Sequence, residues 1–89
     1  MNSRFSEHAT ECSRTGRFGP VGLGSTRDEL RYHFGEPDHV GGASRKQRVP
    51  SIWKYDEFEF HFDDEGRVWL IYTEGQDGQP RVLAGPTRG

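Results

Sequence analysis

Residues 52–62 read Ile52-Trp53-Lys54-Tyr55-Asp56-Glu57-Phe58-Glu59-Phe60-His61-Phe62. Aromatic and polar side chains alternate along both halves of this stretch, the period-two pattern of strands with one buried face. With Asp56-Glu57 as a two-residue turn, Tyr55 lies opposite Phe58, Trp53 opposite Phe60 and Lys54 opposite Glu59. Aromatics then meet aromatics and opposite charges meet, and that agreement selects the register. Asp-Glu is not the favoured pair for so tight a turn, and a wider loop is the alternative.

Downstream, Asp63-Asp64-Glu65-Gly66 suits a three-residue loop with Gly66 in the left-handed conformation, pairing Phe62 with Val68. Strict alternation from Val68 puts Leu70 and Tyr72 on the aromatic face and turns Trp69 and Ile71 to the opposite face, beside Ile52 and His61. A four-residue loop would exchange the two sets. Arg81 to Ala84 is a fourth strand after the Gln76-Asp77-Gly78-Gln79-Pro80 turn.

Upstream, Thr26 and Glu29 form a capping box, with Ser25 and Asp28 as a second register, so a helix begins here. Leu30 and Phe34 give it one apolar stripe, Leu23 is placed to pack near Leu30, Gly35 supplies the exit and Pro37 forbids continuation. So short a helix is unstable alone and must lie on the aromatic face of the sheet. The expected fold class is α+β: a three- to four-stranded antiparallel β-meander, one short N-terminal helix packed on one face, and a disordered tail before it.

That tail is residues 1–19, where Phe5 and Phe18 are the only large apolar side chains and no periodicity builds a buried face. Residues 20–84 form the single domain, and 85–89 read as a flexible C-terminus. The 89 residues allow one thin core, of a size that often calls on a disulfide, a metal or a second subunit. Cys12, the single cysteine, cannot pair within the chain and points to a reducing, cytoplasmic setting. No apolar run near the N-terminus resembles a signal-peptide core or a membrane span. A net charge of −2, with both signs spread along the chain, provides no general field for nucleic acid or anionic lipid.

Gly22-Leu23-Gly24-Ser25-Thr26, Phe34-Gly35-Glu36-Pro37-Asp38, Ile52-Trp53-Lys54-Tyr55 and Phe60-x-Phe62 running into Gly66-Arg67-Val68 together resemble a recurrent bacterial pattern. They are similar to small uncharacterised bacterial proteins and, more distantly, to the SmpA/OmlA-like lipoprotein domains, whose fold is shared with β-lactamase inhibitor proteins. The resemblance covers Gly22 to Thr73 and implies that fold and a function exercised by binding other proteins. Cys12 lacks the apolar stretch and lipobox of the lipoprotein branch, so membrane anchoring does not transfer.

Motifs for chemistry are weaker. Gly41-Gly42-Ala43-Ser44-Arg45-Lys46-Gln47-Arg48 lacks P-loop spacing and reads as a basic loop, with Arg45, Lys46 and Arg48 as candidate phosphate contacts. His8, His33, His39 and His61 are scattered over tail, helix and strand, so no metal site and no cofactor is expected. No Ser or Cys stands in a nucleophile elbow, and Cys12 has no rigid setting beside a base, so an enzyme is not expected. The expected function is a protein-binding module, such as an immunity-type, inhibitor or regulatory protein, engaging a protein partner or forming a homodimer. Its contact residues would be Trp69, Ile71, Ile52, His61 and Lys54, on the face opposite the helix. A nucleic-acid accessory protein using residues 45–48 is the alternative.

Overall fold

A computed structural model describes residues 5–42, 51–74 and 80–85. Among the described residues a helix, a two-stranded ribbon, a second helix and a five-stranded antiparallel sheet follow one another: α1 Ser6–Thr15, β1 Arg17–Phe18, β2 Val21–Gly22, α2 Arg27–Phe34, β3 His39–Gly41, β4 Ile52–Tyr55, β5 Phe58–Phe62, β6 Val68–Glu74 and β7 Pro80–Ala84. The five strands β3 to β7 lie side by side in sequence order, so the sheet is a pure meander. It has more strands than expected because β3 adds an edge that the short His39-Val40-Gly41 segment does not announce.

The central hairpin has the expected register, with Tyr55 opposite Phe58, Trp53 opposite Phe60 and Lys54 opposite Glu59. Asp56 takes a left-handed conformation, φ 53°, to make the turn. The Asp38 carboxylate helps by accepting from the Asp56 N–H at 2.7 Å. The next loop is also as expected, with Gly66 at φ 78° and Phe62 opposite Val68. Asp63 organises it by accepting from the backbone N–H groups of Glu65 and Arg67, the self-capping that makes Asp a turn residue.

Immediately beyond that loop the alternation breaks. Phe62 pairs with Val68 but His61 pairs with Leu70, so Trp69 is an extra residue in a β-bulge. The phase of β6 inverts there: Ile71, opposite Phe60, is fully buried, whereas Leu70 and Tyr72 take the other face with His61 and Glu59. The expected placements of Ile71, Leu70 and Tyr72 are thus overturned by one inserted residue.

The core face carries Trp53, Tyr55, Phe58, Phe60, Phe62, Val68 and Ile71, all buried. Helix α2 lies across it, capped at its start by the Thr26 hydroxyl accepting from Glu29 N–H at 3.2 Å. Leu30 is fully buried, and the Arg27 and Arg31 guanidinium groups rest over the Phe62 and Trp53 rings at 4.5 and 5.1 Å. The Tyr55 hydroxyl donates to the Gly35 carbonyl at 2.8 Å, tying the helix exit to the sheet. Leu23 does not join this packing; it is exposed, and Val21 is buried instead.

The expected disordered tail is, over its described part, a structural layer. Phe5, Cys12 and Phe18 are buried in the same core as the sheet aromatics. The Phe5 ring stands 5.1 Å from Phe34 and 5.9 Å from Tyr55, and Phe18 lies 5.1 Å from Phe60. Helix α1 has few apolar residues, so its sequence reads as polar. Its buried side is narrow, with Cys12 inside and Ala9 packed partly against the core. Two flanking aromatics do most of the anchoring, and each fully buried ring contributes about 1.5–3 kcal/mol by area alone.

Candidate functional site

Both helices make their ring contacts on the core face, which leaves the opposite face of the sheet as its outer surface. Across it the registers align two rows of side chains. One row runs His39, Lys54, Glu59, Tyr72, Val82; the next runs Gly41, Ile52, His61, Leu70. Trp69 stands out beside the second row, its ring 6.3 Å from His61, and is 43% exposed. Val82 is 67% exposed at the β7 edge. Ile52, Lys54, Leu70 and Tyr72 are half-buried.

Of the expected contact residues, Ile52, His61, Lys54 and Trp69 share this face, and Ile71 does not. Arg45, Lys46 and Arg48 lie outside the described residues. Leu70, Tyr72, His39, Gly41 and Val82 belong to the face and were not expected there. Val68 to Tyr72 is an unbroken apolar run, so no polar residue marks the phase change at the bulge.

The centre of the face holds a compact polar cluster. The Glu59 and His61 side chains are only 15% and 19% exposed, with His61 Nε2 3.5 Å from Glu59 Oε1. That is an ion-pair distance without hydrogen-bond geometry, and His61 Nε2 is buried with no hydrogen-bond partner among the described residues. The Tyr72 hydroxyl donates to Glu59. Burial first, then that hydrogen bond and the negative charges of Glu59 and Glu74, push the Tyr72 phenol up to about 12. A carboxylate this far withdrawn from water is tolerated because it has these partners. The Glu59 carboxylate is therefore committed to its own sheet neighbours. Among the described residues Lys54, its cross-strand partner, makes no ion pair.

Beside this cluster lies a notch of about 210 Å³ lined by His39, Val40, Gly41, Ile52, Lys54 and Glu59. The ladder position next to Ile52 is a glycine, and a Cβ built on Gly41 meets no described atom within 4 Å. A second hollow, of about 480 Å³, lies between α1 and the β1–β2 ribbon, and its walls include Glu7, Glu11, Thr15 and Arg17, all solvent-facing. Among the described residues no three His, Cys, Asp or Glu side chains gather in a metal-binding arrangement. The Cys12 thiol is buried in the core and its pKa is raised by that burial, the opposite of an activated nucleophile. No helix among the described residues is long and apolar enough to cross a membrane. Comparison of the chain with protein-family models, with curated proteins and with solved structures gave no match.

Proposed function

We propose that this chain is a non-enzymatic protein-binding module of the cytoplasm, of the immunity, inhibitor or regulatory kind, and that it docks its partner on the outer face of the sheet. The observation that carries the reading is Trp69. A large aromatic left 43% exposed, its ring beside His61 and on the same face as half-buried Ile52 and Leu70, has the character of the aromatic anchor of an interaction site. The β-bulge that projects it is a device often found where a sheet must re-aim a side chain. The resemblance over Gly22 to Thr73 supports the same style of action and is part of the proposal.

Affinity capture from cell extract, with wild type, Trp69→Ala and Tyr32→Ala as baits, tests it. Tyr32 is 85% exposed on α2, across the molecule, and serves as the control. The reading expects a protein retained by wild type and Tyr32→Ala and lost with Trp69→Ala. It also expects retention to change little over a roughly fourfold rise in salt, since steep loss would mark binding to a phosphate backbone. Capture unaffected by Trp69→Ala would rule out the face.

A further inference from the structure

We infer that the occupant of the outer face is a second copy of this chain, docked sheet to sheet about a two-fold axis along β5, with Trp69 of each copy seated in the notch over Gly41 of the other. The inference rests on the outer face being the docking surface. It goes further by deriving the partner from the face's own symmetry.

A two-fold interface is self-complementary: every projection needs its recess on the same face, at the position the axis exchanges with it. In the order β3-β4-β5-β6-β7 the central strand is β5. An axis along it lays β6 of one copy over β4 of the other, and β7 over β3. The projection is on β6, where the bulge presents Trp69 next to His61. The recess is between β3 and β4, at Gly41 and Ile52. The two features therefore sit on opposite sides of β5, where one axis fills both notches with both indoles. A cavity of about 150 Å³ can hold benzene, so a notch of about 210 Å³ has room for an indole ring.

One pair of charges obeys the same exchange. Lys54 is on β4 and Glu74 on β6, both on the outer face, so each lysine comes over the partner strand that carries the glutamate. Among the described residues Lys54 makes no ion pair, and Glu59 accepts the Tyr72 hydrogen bond, which leaves the lysine to answer it. The net charge of −2 leaves little repulsion between copies, and a domain this small gains most from a second layer over its sheet.

The knob and the notch can be destroyed separately. Trp69→Ala removes the knob; Gly41→Leu fills the notch from a backbone outside the left-handed region, at a point where an added Cβ meets no described atom within 4 Å. Sedimentation equilibrium on wild type, each variant and their equimolar mixture reads the result, with circular dichroism confirming that every chain is folded; Trp69→Gln replaces any Trp69→Ala sample that is not. Wild type should dimerise, each variant alone should self-associate at least about thirtyfold more weakly, and the mixture should regain a heterodimer, because one intact knob then meets one intact notch. A wild type that stays monomeric up to about 1 mM, variants that dimerise like wild type, or a mixture no tighter than its components would each overturn the inference. A monomeric wild type that still loses a captured protein on Trp69→Ala removes the second copy and leaves the binding reading standing. Loss of neither removes both.

Discussion

The two faces of the five-stranded sheet are made by the same strands, residue by alternate residue, and yet they obey different rules. On the core face every described side chain of β4 and β5 is aromatic and buried under α1, α2 and the β1–β2 ribbon. On the outer face the same strands carry Ile52, Lys54, Glu59 and His61, each half-buried though both helices pack on the other side. The first face is held by apolar area and ring contacts, which are non-directional and large. The second is held by a few directed contacts around Glu59, individually small. Stability should therefore be concentrated on one face and specificity on the other.

The strongest way to break that contrast is to remove the cover. A chain beginning at Pro20 loses α1 and with it Phe5, Cys12 and Phe18 from the core, and thermal unfolding followed by circular dichroism should show no cooperative transition. A cooperative melt in that truncated chain would mean the sheet's aromatic face is self-sufficient. Within the face, Phe60→Ala should cost about 3–5 kcal/mol in denaturant unfolding, a large part of the roughly 5–15 kcal/mol available to a small domain. Glu59→Ala, one residue away on the other face, should cost only about 1–2 kcal/mol, the penalty of stranding its partners.

Tyr72→Phe sharpens the contrast through pH. At neutral pH the variant should be about 1 kcal/mol less stable, having lost the hydrogen bond to Glu59. The Tyr72 phenol titrates near 12 when folded against 10.0 for the free side chain. The folded state thus holds its proton more tightly, and that contribution is complete below pH 10 and lost as pH rises towards 12. Wild type should lose this advantage over the variant across that interval, read as converging melting temperatures. Smallest of all should be Trp69→Ala, within about 0.5 kcal/mol of wild type in monomer stability. A greater loss would assign the indole to the core and not to a surface.

How much of this was legible in the sequence depends on where polar residues punctuate apolar ones. Lys54 and Glu59 separate aromatics cleanly, so the central hairpin and its buried face follow from the pattern alone. Thr26 and Glu29 mark the start of α2 by chemistry that acts over three residues. Val68-Trp69-Leu70-Ile71-Tyr72 has no such punctuation, and a bulge is decided by pairing partners that the local pattern does not contain, so the outer face was read with Ile71 where Leu70 and Tyr72 stand. The N-terminal segment failed for a different reason. Phe5 and Phe18 flank a helix of mainly polar residues, and a two-point attachment leaves no periodic trace. Their burial depends on meeting Phe34, Tyr55, Phe58 and Phe60 in three dimensions.

The position of Phe5 also fixes an order of events as the chain is made. Its ring leaves the ribosome well before its neighbours Tyr55 and Phe58. The meander strands join partners adjacent in sequence and close short loops, whereas docking α1 closes one of the longest loops in the molecule and is correspondingly slow. A segment synthesised before the sheet is thus the last to find its place, and pulsed hydrogen exchange during refolding should protect the amides of β4 to β6 before those of α1. Until that final docking the aromatic face lies open to other nascent chains.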